Sequence, residues 1–311
     1  MPFSVIIPTY NRPEILDQSL ALLVPLSREL DMEIIVVNDS KDCLLHLGEK
    51  YPGVLVLDNP KSGVASARNL GLRHARHEKI IFMDDDMMVH REALLFIIGF
   101  LDQHPGNSIN LNWIYPPDLQ AKIRKTKFGR YLLRNGHADL KGWMDPAEWK
   151  ENATFQIRII ASAILGITKS SVQKIGGYNE RFPFAGFEDH DFASRLNEAG
   201  IQGYLNTSIL VFHNEADRVE MKPWLERRKR NGQTRAVGVR DLNYAEYRIE
   251  YSGLKNFLFK MIYWFRSIYI AYLYLLPNLS FLDPLYALLF NPLLGAYIHQ
   301  GYTREMKHAK N

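Results

Sequence analysis

The ten residues FSVIIPTYNR at positions 3–12 decide how the rest of the chain is interpreted. Phe3–Ile7 is a short run rich in β-branched residues, as in a buried parallel strand, and the polar Pro8–Arg12 follows where such a strand would end. Similar runs recur at Glu33–Val37, Val54–Leu57 and Lys79–Met83, with helical patterns at Glu14–Leu30 and Val64–Arg76 between them. This alternation predicts a parallel sheet with right-handed crossovers and helices on both faces.

Polar clusters follow three of the predicted strands: Pro8–Arg12, Asn38–Ser40 and Asp84–Asp86. In open α/β sheets, ligands collect at the carboxyl ends of the strands, so these clusters are expected to converge on one site of a size that suits a nucleotide. Neither G-x-G-x-x-G after the first strand nor a Walker motif is present, which argues against the usual dinucleotide and P-loop sites.

Three consecutive carboxylates, Asp84–Asp86, follow an apolar strand. Adjacent carboxylates repel one another, and a hard divalent cation together with hydroxyl groups can make such a cluster tolerable. The alternative is a solvated acidic turn at the surface. The cluster follows an apolar strand and lies at the edge of the sheet where ligands are expected, which favours binding of a metal ion or a ribose.

The composition of the 311-residue chain suits one large α/β domain, or such a domain with an appendage. Hydrophobic residues make up 47% and charged residues 23%, which excludes disordered and collagen-like classes. The single cysteine, Cys43, cannot form an internal disulfide and indicates a reducing compartment. Because Met1-Pro2 leads directly into a strand, no secretory signal is expected, and the location is predicted to be cytoplasmic.

The regular pattern fades between residues 107 and 152, where Trp, Pro and Gly punctuate short helical pieces. A long irregular insertion in a compact domain is usually functional or mobile. Strand patterns return at Phe155–Ile160 and Ala163–Ile167, a helix is predicted from about Glu188, and a last strand, Ser208–Phe212, closes the domain near residue 215.

The last hundred residues differ in kind. Lys222–Arg240 carries seven basic side chains and one acidic, and two apolar stretches, Leu254–Leu276 and Leu279–Ile298, follow it. Such a region can be a helical cap on the preceding domain, or a monotopic attachment to an anionic membrane surface through residues 222–298. Charges or prolines interrupt both stretches within the ~20 residues that a membrane span needs, which argues against spanning.

Taken together, the motifs resemble glycosyltransferase family 2, whose members have the GT-A fold. The donor half is carried by Val5–Arg12, Val37–Ser40, Gly63–Leu72 and Phe82–Asp86. The acceptor half is carried by Ile175–Phe182, Gly186–Phe192 and Arg195-Leu196, and the blocks occur in the family's order over residues 3–213. The resemblance implies a Rossmann-like mixed sheet flanked by helices, followed here by a C-terminal helical appendage.

The resemblance also implies roles on the donor side. Asp39 would accept the N–H of a uracil or thymine base, and Arg68 would face the base or the diphosphate, although an ordinary exposed helical arginine is the alternative. Asp84 and Asp85 would bind the ribose and its neighbourhood. The loop under the base would be formed by Pro8, Thr9, Tyr10 and Asn11.

On the reactive side, the resemblance implies that Asp86 binds Mn²⁺ or Mg²⁺. His213 would join it as a second metal ligand, unless it is a satisfied structural histidine. Asp189 would remove the proton from the acceptor hydroxyl, and Glu188 would position the acceptor or share that role. Asp191 and Arg195 lie four residues apart on the predicted helix, which favours a structural ion pair.

These expectations describe a metal-dependent, inverting glycosyltransferase. It would move a sugar from a UDP- or dTDP-linked donor to a saccharide or lipid-linked acceptor in polysaccharide or glycolipid synthesis, at the inner face of the cytoplasmic membrane. Residues 1–215 would form the catalytic domain, with a donor half at 1–115 and an acceptor half at 116–215, and residues 216–311 the appendage. The alternatives are an inactive sugar- or nucleotide-binding protein and a nucleotidyltransferase of similar fold; nucleic acid is not expected as a partner.

Overall fold

The computed structural model describes residues 2–41 and 45–308, and Cys43 lies outside the described residues. Within them the chain divides into two compact units. Unit 1 comprises Met1–Pro116, Asp139–Pro183 and Glu188–Asn214. Unit 2 comprises Pro117–Ala138, Phe184–Phe187 and Glu215–Asn311, so it recruits two earlier segments in addition to the C-terminal region.

Unit 1 is built on a mixed sheet flanked by helices, as predicted. The strands among the described residues are β1 (Phe3–Thr9), β2 (Met32–Asn38), β3 (Val54–Asp58), β4 (Lys79–Met83), β5 (Met87–Met88), β6 (Ser108–Ile114), β7 (Thr154–Ile157), β8 (Ile164–Thr168) and β9 (Gly203–His213). The helices of this unit are α1 (Pro13–Glu29), α2 (Leu45–Lys50), α3 (Val64–His74), α4 (Arg91–Gln103), α7 (Lys169–Lys174) and α8 (Glu188–Glu198).

The order of strands in the sheet is β3-β2-β1-β4-β8-β6-β9-β5, and β7 also pairs with β9. The first four strands are parallel, whereas β8 runs antiparallel to β4 and to β6. Every residue of β1 and β2 is buried. Because β2, β1 and β4 are parallel neighbours, their carboxyl ends meet at one edge, which places the three polar clusters together.

The prediction of an irregular segment at 107–152 was wrong at its start, because Ser108–Ile114 forms strand β6 inside the sheet. Its sequence SINLNWI alternates polar with apolar residues, which is the period of a strand, but two of the polar residues are asparagine, which is uncommon in strands. The amide of Asn110 donates to the backbone oxygens of Ala161 and Ile164, both at 2.6 Å, which satisfies a polar group inside the sheet.

Unit 2 is helical, with α5 (Pro117–Arg124), α6 (Lys127–Arg134), α9 (Met221–Asp241), α10 (Gly253–Trp264), α11 (Arg266–Leu275) and α12 (Asp283–His308). Its main core gathers residues from α6, α9, α11 and α12, including the fully buried Phe290 and Leu293. Asp283 begins α12 buried, and it pairs with Arg130 at 2.8 Å and Arg134 at 2.9 Å on α6. The unit is therefore a small helical domain with its own core. The predicted division at residue 215 stays a prediction.

The basic stretch Lys222–Arg240 forms most of α9, and much of its charge is engaged inside unit 2. Arg227 pairs with Glu215, and the Arg235 guanidinium donates to the backbone oxygen of Tyr247 at 2.6 Å. Arg240 pairs with Asp241 and with Glu305 at 3.1 Å. Helix α9 is consequently a packing helix of the core rather than an open basic face.

By length and composition, Ser280–Lys307 could cross a membrane, and one third of its most apolar window is buried in the structure. The corresponding helix, α12, supplies Tyr286, Phe290 and Leu293 to the core of unit 2. A helix in the centre of a folded core has the same length and composition, so α12 does not by itself place the protein in a membrane.

Candidate active site

Asp39 lies at the carboxyl end of β2, where the backbone joins it to β1. Its N–H donates to the Thr9 oxygen at 2.8 Å, and its carboxylate accepts from the Asn59 amide at 2.7 Å and from the Gly63 N–H at 3.0 Å. Burial raises the pKa of Asp39, although these hydrogen bonds oppose the shift. Gly63 adopts φ +123°, which a side chain would strain, so this residue can present its N–H as the first turn of α3 begins.

The loop after β1 places the other residues that were predicted to lie under a base. Pro8 and Thr9 are the last residues of β1, and both are buried. Tyr10 is 57% exposed, and Asn11 adopts φ +53°. An exposed aromatic ring at the ligand edge can stack on a base, but the assignment of this loop to the base stays a prediction.

Asp85 is buried beside β1, and an arginine that was not among the predicted site residues is its partner. Arg12, 7% exposed, donates to Asp85 at 2.5 Å and also lies 2.8 Å from an Asp86 oxygen. The Thr9 hydroxyl donates to the other Asp85 oxygen at 2.7 Å. One guanidinium thus offsets the repulsion between two neighbouring buried carboxylates.

Asp86 is fully buried, and its second oxygen lies 3.0 Å from Nε2 of His213. His213 ends β9, pairs in register with Met87 of β5, and packs edge-on against Trp113 at 4.7 Å between ring centroids. The short antiparallel bridge between β5 and β9 therefore fixes the distance between the imidazole and the acidic turn.

Asp84, Asp86 and His213 offer three ligand atoms that all lie within 4.8 Å of one another. Two carboxylates and an imidazole are a donor set that Mn²⁺ and Mg²⁺ accept, Mn²⁺ the more readily because it tolerates nitrogen. The side chains present therefore fit a divalent ion. The geometry groups Asp84 rather than Asp85 with the two predicted ligands, because Asp85 is held by Arg12 and Thr9.

Arg68 lies at the centre of a second charged cluster and is 3% exposed. Its guanidinium lies 3.0 Å from Asp84, 3.0 Å from Glu188 and 3.6 Å from Asp189. Burial by itself would lower the pKa of Arg68, but these carboxylates raise it, so the side chain is a permanent cation. The alternative of an exposed helical arginine is wrong. Arg68 links the acidic turn after β4 to the start of α8.

Asp189 is held by a residue that the sequence did not single out. The Ser162 N–H donates to one Asp189 oxygen at 3.1 Å, and the Ser162 hydroxyl donates to the other. The hydroxyl of the buried Tyr178 lies 2.6 Å from that of Ser162. A carboxylate held in this way has a defined orientation, and its side chain remains 26% exposed.

Sequence reasoning missed Arg12 and Ser162 for different reasons. Arg12 directly follows the predicted loop, so a charge opposite the acidic turn could have been inferred from the neighbouring strands. Ser162 lies just before β8 in a segment without a motif, and no signal in the sequence points to it. The predicted structural ion pair between Asp191 and Arg195 is confirmed at 2.7 Å.

Comparisons with known proteins identify the family and the fold of the chain. Residues 4–159 match the family described as Glycosyl transferase family 2, and residues 149–221 match one described as N-terminal domain of galactosyltransferase. Chondroitin synthase of Pasteurella multocida is 27% identical over 238 residues, 68% of this chain and 24% of the synthase. The matches span between 24% and 65% of the first three curated relatives, less than two thirds of each.

Solved structures with a similar fold include a mannosyltransferase, PcManGT from Pyrobaculum calidifontis, in complex with GDP-Man and Mn²⁺. It is 16% identical with a TM-score of 0.52, over 99% of this chain and 72% of that one. Residues 1–349 of TarS from Staphylococcus aureus, in complex with UDP-GlcNAc, are 16% identical with a TM-score of 0.54, over 98% and 92% of the two chains. At these identities the likeness shows the fold, and it confirms the predicted fold class.

Proposed function

The chain belongs to glycosyl transferase family 2, and from that membership we propose that it transfers a sugar from a nucleoside diphosphate to an acceptor hydroxyl in polysaccharide or glycolipid synthesis. One observation carries the proposal. Unit 1 combines three features. They are the Asp39 carboxylate after β2, the group formed by Asp84 and Asp86 after β4 with His213 at the end of β9, and the Asp189 carboxylate at the start of α8, which Arg68 links to Asp84. A transfer reaction needs donor recognition, leaving-group stabilisation and a base, and the three features supply one each.

On the donor side, the proposed roles follow the sequence predictions. Asp39 accepts an imide N–H, which favours a uracil or thymine base and hence a UDP- or dTDP-linked sugar. The loop under the base is formed by Pro8, Thr9, Tyr10 and Asn11, and Asp84 and Asp85 bind the ribose and its surroundings. The relatives' structures with GDP-Man and with UDP-GlcNAc show that this fold serves more than one base, so nucleotide choice needs a direct test.

We assign the divalent ion to Asp86 and His213, and the geometry adds Asp84 as a third ligand besides its proposed place next to the ribose. Bound there, Mn²⁺ or Mg²⁺ would stabilise the negative charge that grows on the diphosphate as it leaves. Arg12 orients the Asp86 carboxylate and offsets its repulsion with Asp85, because its guanidinium lies 2.8 Å from one Asp86 oxygen. Arg68 supplies a fixed positive charge beside Asp84 that faces the same developing charge.

Asp189 is proposed as the base that takes the proton from the acceptor hydroxyl while this oxygen attacks the anomeric carbon. Both hydrogen bonds from Ser162 orient its carboxylate, and the exposed part of the side chain leaves access for an acceptor. Glu188, 1% exposed and bound to Arg68, acts by positioning. Direct displacement by a single attacking oxygen inverts the anomeric configuration.

The acceptor is proposed to be a saccharide or lipid-linked molecule at the inner face of the cytoplasmic membrane, with residues 222–298 as the contact to an anionic surface. Residues 1–215 are proposed as the catalytic domain, with donor and acceptor halves at 1–115 and 116–215. Metal dependence and the membrane location are parts of the proposal that separate experiments can test.

The test is a thermal-shift panel of UDP, dTDP, GDP, CDP and ADP, each with and without Mn²⁺. A ligand present at a hundred times its dissociation constant stabilises the folded state by about 2.7 kcal/mol. We expect a metal-dependent shift with UDP or dTDP that Asp86→Ala weakens. The control Asp102→Asn also removes one carboxylate charge, at a partly exposed pair with Lys79, and should leave the shift intact. The absence of a shift with every nucleotide would overturn the donor site and favour a protein that binds sugars without transferring them.

A further inference from the structure

A stripe of large apolar side chains runs along one side of α10 and α11 in unit 2. We name it the outer stripe. Its members lie one, three or four residues apart, as on one side of a helix, and each is at least 39% exposed: Leu254, Phe257, Leu258, Met261, Trp264, Phe265, Ile268, Tyr272 and Leu275. Helical hydrogen bonds continue through Phe265, which joins the two helices. The Phe265 N–H donates to the Met261 oxygen, and the Tyr269 N–H donates to the Phe265 oxygen, both at 3.0 Å. The spacing therefore continues from one helix into the next.

The opposite side of the same helices already makes the packing contacts. Tyr263 packs edge-on against Tyr297 of α12 at 5.2 Å between ring centroids. The Tyr269 hydroxyl donates to the Leu289 oxygen at 2.8 Å, and Leu273 is fully buried. A helix that is apolar on all sides is normally buried on all sides. The outer stripe is therefore an apolar surface that no other part of unit 2 covers.

The charged side chains of α10 and α11 themselves have one sign. Between Glu250 and Asp283 the sequence contains no acidic residue, while Lys255, Lys260 and Arg266 interrupt the apolar run. Asp283 itself is buried and paired with two arginines of α6. Helices that are apolar on one side and carry only basic charges of their own complement an anionic lipid layer, whereas like charges oppose the packing of two copies.

Beside Trp264 the surface forms an open cleft of about 540 Å³, lined by Lys260, Tyr263, Trp264, Arg266 and Gln300. The Arg266 guanidinium lies 4.6 Å from the centre of the Tyr263 ring. Trp264 is 78% exposed. An ammonium and a guanidinium next to an exposed tryptophan match the chemistry of a lipid phosphate at the boundary between headgroups and acyl chains.

From these observations we propose that α10 and α11 lie in the plane of an anionic phospholipid bilayer, with the outer stripe inserted into its surface and the cleft at Trp264 taking a lipid phosphate. Lys260 and Arg266 lie in the middle of the run 253–275, and its other side packs against α12, so the two helices are not surrounded by lipid as a spanning helix would be. Flat insertion uses the whole stripe at once. The inference rests on the proposed membrane location, and it assigns the contact to α10 and α11 rather than to the basic helix α9.

The experiment is co-sedimentation of the full chain with vesicles of phosphatidylcholine containing about one third phosphatidylglycerol. The test variant is Trp264→Glu with Ile268→Glu. The matched control is Leu22→Glu with Leu95→Glu, which adds the same charge at exposed positions of α1 and α4, 43% and 41% exposed in the wild-type chain. We expect the wild type and the control to sediment with the vesicles and the test variant to bind at least tenfold more weakly.

Further arms separate the components of the proposal. Lys260→Gln with Arg266→Gln should weaken binding to vesicles with phosphatidylglycerol and leave the weaker binding to pure phosphatidylcholine unchanged. Far-UV circular dichroism checks that each variant is folded. Wild-type protein that stays in the supernatant with every vesicle overturns the inference. So does a lipid-free dimer, measured by sedimentation velocity, that the test variant dissociates, because a second copy would then cover the stripe. Nucleotide binding in the thermal-shift panel is independent of both results.

Discussion

The ligand edge of unit 1, which is the edge of the sheet where β1, β2 and β4 end, buries charged side chains, whereas the outer stripe of unit 2 exposes apolar ones. At the ligand edge, charged groups are withdrawn from water and given partners: Arg12 is 7% exposed between Asp85 and Asp86, and Arg68 is 3% exposed among three carboxylates. On the outer stripe, apolar groups face solvent, and Trp264 is 78% exposed. Each arrangement costs free energy in the isolated chain, since buried charge and exposed apolar area are both unfavourable in water.

Both unfavourable arrangements indicate where a ligand or another surface binds. A buried network of charges is retained where a charged substrate or ion will share it, and an unpacked apolar stripe is retained where another apolar phase will cover it. If this is correct, changes at the ligand edge should alter catalysis or stability strongly, whereas changes on the outer stripe should leave the isolated protein nearly unaffected.

The largest expected effect is on catalysis. Asp189→Asn removes the proposed base and keeps the shape of the side chain, so kcat should fall by about 10²- to 10⁴-fold. Nucleotide binding should persist in the thermal-shift panel. Glu198→Gln, the same chemical change on the exposed end of α8, is the control and should leave kcat unchanged. A variant Asp189→Asn with wild-type turnover, measured as nucleoside diphosphate released, would contradict the role of the base.

The second prediction concerns stability at the ligand edge. Arg12→Ala leaves Asp85 and Asp86 buried without their cation, and breaking a buried ion pair in this way costs about 3–5 kcal/mol of unfolding free energy. The control is Arg91→Ala, also at a helix start, where Arg91 pairs with Glu29 and both side chains are about half exposed. Exposed pairs contribute ~1 kcal/mol or less. Equal losses in urea unfolding would show that burial does not distinguish the two arginines.

A third prediction uses His137, a half-buried histidine of unit 2. Burial, aided by Arg228 and Arg227, lowers the pKa of His137 to about 4. Glu215 has the opposite effect and raises this pKa. The His137 ring packs against Trp224 and Tyr131, at 5.1 Å and 5.9 Å between ring centroids. In the unfolded chain the pKa returns to about 6.5, so only the unfolded state gains a proton between these values.

Stability should therefore be unaffected by this group above pH ~6.5 and should fall as the pH drops towards 4, by about 2 kcal/mol between pH 7 and pH 5. The measurement is urea unfolding at both pH values. His137→Gln cannot take up the proton, and it should remove that part of the pH dependence. If the variant and the wild type lose the same stability on acidification, His137 is not its source.

The smallest expected effect is on the outer stripe. Trp264→Ala should change the unfolding free energy by less than about 0.5 kcal/mol, because the ring is largely in water in the folded state as well. Phe290→Ala, in the core of the same unit and fully buried, should cost about 3–5 kcal/mol. A large loss from Trp264→Ala in lipid-free solution would mean that the stripe packs against protein, and the contrast between the two regions would disappear.

Much of the fold could be predicted from local patterns. The strands β1 to β4 and the helices α1 and α3 lie close to the predicted positions, because short β-branched runs and helical spacing are visible in any short window. Strand β6 was missed because asparagine is uncommon in strands, and the buried Asn110 is satisfied by Ala161, about fifty positions away. No short window contains that partner.

The site shows the same division. The sequence by itself determined which side chains could do chemistry, since Asp39, Asp84–Asp86, Asp189 and His213 stand in recognisable motifs next to strand ends or at a helix start. Tertiary structure alone decided their partners: Arg12 lies beside Asp86, Ser162 beside Asp189, and Asp84 beside the proposed metal ligands Asp86 and His213. The physical reason is that local composition sets the secondary structure, whereas the pairing of buried charges depends on which strands become neighbours in the sheet.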